Sequence, residues 1–457
     1  MAALLEIEKL SYTYAGAQTP ALADISLAVH PGECVCITGH SGCGKTTLLL
    51  AIKGLLYQGS ASGAITTGSP GAADNGSTAG MVLQNAESQI LCTAVSEEVA
   101  FGPENLCVPE KEIGARVESA LQAVGLQEYS GRTVEQLSLG QKQRLTIASV
   151  LSMQPQLLLL DEPTSQLDGP GKEKLVRVLA QLKSRGHALL ITEHDTCALR
   201  NLADRFVSME NGAVAGETSR APERAAPEAA PPLHRPSPGS ARSLAVRDVS
   251  LAYTGTGEVL KNLNLTVARG ELIHLFGCNG AGKSSFLRCL TGFLTPQSGT
   301  VETAGIAGPR PEQLLGKVGF LFQNPQRQLF EESVFAEVYF SLKRMQCEPE
   351  EARRRVMQAL HRCGVEHLAS RSPLTPSFGE QHRVTLASVL APQPELLLLD
   401  EPFAGLDFAQ RYRILDILAE LRARCGTTVV IVSHDQLPDP RWADRMLILE
   451  NGTIECN

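Results

Sequence analysis

The 457-residue chain contains no apolar run approaching the ~20 residues that a membrane-spanning helix needs. Its longest candidates, Leu157–Leu160 and Thr427–Val432, fit buried strands, so no membrane crossing is expected of the chain itself. The opening segment MAALLEIEKL lacks a basic stretch followed by an apolar core, and no signal peptide is expected there. Positive charge is not in excess. The formal net charge of −8 disfavours broad electrostatic capture of nucleic acid or of anionic lipid. The 12 cysteines are scattered singly; only Cys34 and Cys36 lie close together, and no second pair completes a zinc-site spacing. Free thiols in a reducing cytoplasm are the expectation.

What the chain does have is a repeat. GHSGCGKTT at 39–47 recurs as GCNGAGKSS at 277–285, and LLLLDEP at 157–163 recurs at 396–402. Lys45 and Lys283 are 238 residues apart, Gln84 and Gln323 are 239 apart, and so are Ser138 and Ser377 and Asp161 and Asp400. His194 and His434 are 240 apart. A nearly constant shift across separate landmarks marks a duplicated domain. The expected division is a first domain over 1–216, a Pro/Ala-rich linker over 217–243 and a second domain over 244–457. The linker composition cannot bury a core and reads as semi-extended. A Gly/Ser-rich run at 59–80 is expected to be a loose turn region between short strands.

Both copies run in the same order. An alternating segment (LSYTY, 10–14; VSLAY, 249–253) suggests an antiparallel strand, and CVCITG or LIHLFG a buried strand entering a glycine loop and a helix. The uninterrupted leucines of 157–160 and 396–399 suit parallel strands covered on both faces. In such α/β sheets chemistry sits at the carboxyl ends of the strands.

The glycine loops match G-x-x-x-x-G-K-[ST], which turns backbone N–H groups inward around phosphate oxygens at a helix start. Phosphate-contacting candidates are Gly39, Ser41, Gly42, Gly44, Lys45, Thr46 and Thr47, then Gly277, Asn279, Gly280, Gly282, Lys283, Ser284 and Ser285. Lys45 and Lys283 would reach the β- and γ-phosphates, and Thr46 and Ser284 would hold Mg²⁺. Asp161 and Asp400, at strand ends, would bind the magnesium through water. Glu162 and Glu401 are the candidate general bases for the attacking water. His194 and His434 end the next strand, where a neutral imidazole could bond the γ-phosphate.

Together these residues resemble the ATP-binding cassette (ABC) superfamily over nearly the whole chain apart from the linker. LSLGQKQR at 137–144 is similar to that family's LSGGQ signature, and PSFGEQHR at 376–383 is a second version. The resemblance implies two P-loop ATPase domains, each an α/β fold with a mainly parallel sheet, a small antiparallel β subdomain and a helical subdomain. It implies ATP and Mg²⁺ as ligands, with Ser138, Gly140 and Gln141, and Ser377, Gly379 and Glu380, at signature helix starts facing the opposite domain's nucleotide. It also implies Gln84 and Gln323 as Q-loop residues near magnesium, Asp168 and Asp407 as D-loop residues, and Tyr14 and Tyr253 as adenine-stacking rings. Glu380 would oppose the γ-phosphate unless it points to solvent. The Lys45 site, which uses that signature, is accordingly expected to be slower than the Lys283 site.

The stretches QNAESQILCTAVSEEVAFGPEN at 84–105 and QNPQRQLFEESVFAEVYF at 323–340 look like the Q-helix region of energy-coupling factor (ECF) importer ATPases. The first departs at Ala86 and the second lacks FGPEN. That resemblance implies a transmembrane scaffold subunit and a small substrate-capturing membrane subunit as partners, uptake of a vitamin, other micronutrient or metal ion, and a place on the cytoplasmic face of a bacterial membrane. Within the superfamily the alternatives are a sugar-importer tandem ATPase and a soluble translation factor acting on ribosomes. The first generally carries one damaged centre, and the second a long charged helical linker.

Overall fold

The computed structural model describes residues 2–68, 78–221, 241–253, 257–324 and 327–456. The chain divides into two compact units, Met1–Ala225 and Ala226–Asn457. The central part of the expected linker, 222–240, lies outside the described residues.

In the first unit β1 (Leu5–Tyr14), β2 (Leu22–Val29) and β4 (Gly59–Thr67) form an antiparallel sheet in the order β2-β1-β4. β3 (Cys34–Thr38) leads into α1 (Lys45–Lys53), and β5 (Ala79–Val82) into the short α2 (Ala86–Gln89). Then come α3 (Val95–Asn105), α4 (Glu110–Ala123) and α5 (Leu139–Leu151). β6 (Leu157–Asp161), α6 (Gly169–Ser184), β7 (Ala188–Glu193), β8 (Arg205–Glu210) and β9 (Ala213–Thr218) complete the unit. Its main sheet has the order β5-β6-β7-β3-β8-β9, parallel except for the β8–β9 hairpin.

The second unit repeats the plan. β10 (Arg242–Ala252), β11 (Glu258–Ala268), β13 (Ser298–Thr303) and β14 (Ile306–Ala307) make its antiparallel sheet, ordered β11-β10-β13-β14. β12 (Leu272–Phe276), β15 (Val318–Leu321), β16 (Leu396–Asp400), β17 (Thr428–Ser433), β18 (Arg445–Glu450) and β19 (Thr453–Cys456) make the main one, ordered β15-β16-β17-β12-β18-β19. Its helices are α7 (Lys283–Leu290), α8 (Pro311–Leu314), α9 (Val334–Arg344), α10 (Pro349–Cys363), α11 (Phe378–Leu390) and α12 (Phe408–Cys425).

The leucine runs are explained by layers. Along β6, Leu157 and Leu159 pack into a core shared with the antiparallel sheet and α1, whereas Leu158 and Leu160 pack into a second core under the helices. In β16, Leu396 and Leu398 face one core, and Leu397 and Leu399 the other. All eight are fully buried. A strand with two covered faces has no polar side, so period-2 alternation vanishes.

The Gly/Ser run departs from the expected loose turn. Its first nine residues form β4, paired along β1 from Leu5↔Thr67 to Tyr14↔Gly59. β1 offers a free edge, and because most of β4 is exposed, small polar side chains meet no penalty there. Residues 69–77 of that run lie outside the described residues.

Candidate functional site

Each phosphate loop leaves the end of a central parallel strand and enters a helix through a glycine in the left-handed region. Gly44 (φ 103°) caps α1 and Gly282 (φ 98°) caps α7. A Cβ on Gly44 would sit 2.5 Å from the carbonyl oxygen of Ala21, and one on Gly39 or Gly277 would run into the backbone of Met209 or Leu449. The loops therefore require glycine, for conformation and for space. The opening amides of α1 and α7 carry the positive end of the helix dipole.

Lys45 Nζ lies across its loop, donating to the carbonyls of Gly39 (2.9 Å) and His40 (3.2 Å). Lys283 Nζ does the same with Gly277 (2.7 Å) and Cys278 (3.0 Å). Both lysines are buried, and each faces the candidate base of its own unit: Nζ is 4.0 Å from Glu162 Oε1 and 3.5 Å from Glu401 Oε1. His194 Nε2 stands 2.7 Å from Glu162 Oε1. His434 instead turns Nδ1 to Glu401 Oε2 at 2.8 Å, close but not aligned as a hydrogen bond, while its backbone N–H donates to that oxygen at 3.1 Å. Lysine, base and histidine thus converge at the carboxyl ends of the strands in both units.

The candidate bases sit on strained backbone: Glu162 has φ 44° and Glu401 φ 51°. Each is pinned by its own N–H, donated to the carbonyl of Thr192 (3.1 Å) or Val432 (2.8 Å) on the next strand. Gln84 Nε2 donates to Glu162 Oε2 at 2.7 Å. Its counterpart Gln323 is exposed, so the structure brings only the first Q-loop glutamine onto its base.

Asp161 accepts from Thr46 Oγ1 (2.9 Å) at Oδ2 and from Thr192 Oγ1 (2.6 Å) at Oδ1. Burial holds its carboxyl above the usual range, against these hydrogen bonds. Asp400 is pushed up to about 6 by burial, opposed by a hydrogen bond from Ser284. Its Oδ1 is buried without a hydrogen-bond partner, because Val432 stands where the first unit has Thr192. An unsatisfied buried carboxylate oxygen beside a serine hydroxyl is what a hard cation completes. Among the described residues no cluster of three or more His, Cys, Asp or Glu could cage a metal. The hydroxyl and carboxylate pairs Thr46 with Asp161 and Ser284 with Asp400 suit Mg²⁺, which is usually held by one or two carboxylates with water and phosphate.

The remaining candidates surround these groups. Tyr14 Oη and Thr47 Oγ1 are 3.1 Å apart, and Tyr253 Oη and Ser285 Oγ 2.9 Å, which sets each ring against the start of the phosphate-loop helix. The rings are 40% and 38% exposed, leaving a face open for stacking. Asp168 and Asp407 accept from the N–H groups of Gly171 (2.9 Å) and Gln410 (2.8 Å), capping α6 and α12.

The two signatures differ in their hydrogen bonding. Ser138 caps α5 and accepts from Gln141 N at 3.3 Å, while its own N–H donates to Gln141 Oε1 at 2.8 Å. The hydroxyl proton of Ser138 stays available. Ser377 instead donates both its N–H (2.9 Å) and its hydroxyl (2.8 Å) to Glu380 Oε2. Glu380 therefore folds back on the serine and places its carboxylate at the start of α11.

Several positioning groups gave no motif signal. Thr192 links Asp161 to the backbone of Glu162. Glu193, fully enclosed behind His194, accepts from Thr164 N (2.9 Å) and Oγ1 (2.7 Å). In the second unit the strand residue before the histidine is Ser433, which bonds His274 Nε2 at 2.7 Å. Burial lowers His274 to about 4, so its ring is neutral. These groups pair strand ends across the sheet, and only the assembled sheet makes them neighbours.

Comparison with known proteins gives the same assignment for both halves. The sequence profile of the ABC transporter family matches residues 22–165 and 260–404. An ABC transporter ATP-binding protein of Methanosarcina mazei is 32% identical, over 99% of this chain and 88% of its own length. One of Treponema denticola is 31% identical, over 99% of this chain and 96% of its own. The solved structure of cbiO1 from Clostridium perfringens, described as part of the ABC transporter complex cbiONQ, is 34% identical, covering 47% of this chain and 87% of that one with a TM-score of 0.44. A twice-matched profile, full-length relatives and two phosphate loops facing strand-end acid pairs lead to one statement: the chain belongs to the ABC transporter family, as an ATP-binding subunit that binds ATP with Mg²⁺ and hydrolyses it.

Proposed function

We propose that this chain is the double ATPase of an ECF-type importer, taking up a vitamin, other micronutrient or metal ion with a transmembrane scaffold and a substrate-capturing membrane subunit. The observation that carries the reading is the Q-loop segment, QNAESQ at 84–89 and QNPQRQ at 323–328, present in both copies. Its final glutamines, Gln89 and Gln328, bond back onto the end of β5 or β15 in the same way. No helix among the described residues is long and apolar enough to cross a membrane, so passage of a cargo falls to other chains. The place of work is the cytoplasmic face of that membrane.

In this reading the two cassettes close head to tail on two ATP molecules, each phosphate loop completed by the other half's signature. Within each pocket Lys45 or Lys283 neutralises phosphate charge, and Glu162 or Glu401 takes the proton of the attacking water. His194 or His434 orients that water or the γ-phosphate. Thr46 and Asp161, or Ser284 and Asp400, would hold Mg²⁺, which when bound would supply charge neutralisation. The test is affinity purification of the tagged chain from detergent-solubilised membranes. Hydrophobic subunits that co-purify in fixed proportion support the importer. Recovery of ribosomes instead would move the chain to the translation-factor class, and recovery of a sugar-uptake assembly would remove the ECF assignment.

A further inference from the structure

At the amino ends of β6 and β7 the first unit has an open cavity of about 540 Å³. It lies at the opposite end of the sheet from Asp161 and Glu162, and no phosphate-loop residue lines it. Arg116 of α4, Arg185 at the end of α6 and His187 do line it, and no aspartate or glutamate does. Gln156 adds an amide, and the buried Leu151 and Leu182 give it an apolar wall.

The shared fold does not demand this charge. Arg355 and Arg424 occupy the corresponding places in the second unit, and each is met by a glutamate, Glu351 at 2.7 Å and Glu420 at 3.1 Å. Glu395 stands there in place of Gln156; each accepts at its backbone carbonyl from the first residue of the next strand, Thr428 or Ala188, at 2.9 Å. In the first unit Gln181 replaces Glu420, and Arg185 has no carboxylate partner among the described residues. Arg116 has Glu112, at 3.4 Å. The carboxyl end of α6 favours a cation, but Arg424 serves α12 in the same way while paired. His187 also exceeds the structural need. Its Nδ1 donates to the carbonyl of Pro155 at 3.0 Å, a bond that Thr427 makes to Pro394 at 3.4 Å. A threonine suffices for that backbone contact, so the second ring nitrogen is surplus to the fold.

Uncompensated cations around a concavity attract an anion, and a planar guanidinium takes carboxylate or phosphate oxygens two at a time. We propose that this cavity binds a small multiply charged anion, carrying phosphate or carboxylate groups, at a site separate from the nucleotide pockets. Arg116 and Arg185 supply the charge, Gln156 an amide N–H, and Leu151 and Leu182 cover the ligand's apolar part. The volume falls within the ~300–1,000 Å³ usual for small-molecule sites. Glu351, Glu395 and Glu420 would repel such a ligand at the corresponding place in the second unit, so the site belongs to the first unit alone.

The experiment is amide hydrogen exchange on the full chain, without Mg²⁺ or nucleotide, titrated with citrate and separately with pyrophosphate. At ten times the dissociation constant, peptides covering 114–124, 150–157 and 181–188 should exchange about tenfold more slowly. Pyrophosphate is expected on the phosphate loops as well, and peptide position separates the two events. Protection by one probe alone identifies the charged group that the site prefers. Gln156→Glu, which installs the residue the second unit carries, and Arg185→Gln should each remove this protection. Both side chains are exposed, so neither change disturbs the core. Protection by neither probe at millimolar concentration would overturn the proposal. So would protection that survives both substitutions, or that appears equally in the second-unit peptides 353–363, 389–396 and 420–428.

Discussion

A glutamate in the left-handed region costs on the order of 1–3 kcal/mol, and this chain accepts that at Glu162 and Glu401, immediately after two strand-ending aspartates. The strain is held by hydrogen bonds to the neighbouring strand, and it aims each carboxylate at a lysine and a histidine. Glu193, behind the first of these, is held up to about 7 from 4.5, by burial first and then by Glu162. A carboxyl whose folded value is raised stabilises the native state fully below about 4.5, and that contribution is lost as pH rises through about 7. Glu193→Gln keeps an oxygen for Thr164 and cannot ionise. Its stability relative to wild type, measured by urea denaturation, should therefore increase between pH 4.5 and 7, by on the order of 1–3 kcal/mol. A pH-independent difference would show that the Glu193 carboxyl titrates alike in the folded and unfolded chain. At the same scale, Glu380→Gln removes the acceptor charge beside Ser377 and should raise the turnover of the chain, by up to about twofold, in steady-state ATPase assays. No increase would mean that Glu380 does not restrain catalysis.

At the level of elements, the four-leucine strands show why motif and packing coincide. Each side chain is needed on one core or the other, and the acid pair follows because the strand's carboxyl end is where the two layers open. Leu159→Ala should cost about 2–5 kcal/mol by leaving a cavity that packed neighbours cannot close. Calorimetry of the full chain checks this, and a loss under 1 kcal/mol would contradict the two-faced packing. The phosphate loops, the apolar strands and the serine-started helices α5 and α11 were legible because each depends on a few adjacent residues. β4 was not: its Gly/Ser composition suggests a turn, and the free edge of β1 is what makes it a strand. Gln89 and Gln328 gave no signal either, since what marks them is a bond to backbone several residues away.

For the whole molecule, two units with separate cores should unfold in a way that single-unit damage reveals. Lys45→Ala combined with Lys283→Ala should abolish ATPase activity, with circular dichroism unchanged, because both side chains bond only groups of the phosphate-loop site of their own unit and fill no hydrophobic core. Residual turnover above a percent or so would mean that another group binds the phosphates. The signatures differ in how they use their serines, so the single base variants should not be equivalent. Glu401→Gln should remove more activity than Glu162→Gln, and equal losses would refute unequal sites.

From the residues alone came the duplication, the phosphate loops, the acid pairs, the histidines and the family, because each is written in short runs whose chemistry is local. Tertiary structure alone decided that Gln84 reaches Glu162 while Gln323 is exposed, that Asp400 keeps an unpaired oxygen where Thr192 satisfies Asp161, and that Glu380 takes the hydroxyl of Ser377. Those outcomes depend on which side chain a neighbouring strand or turn brings within about 3 Å, a distance that sequence spacing does not encode.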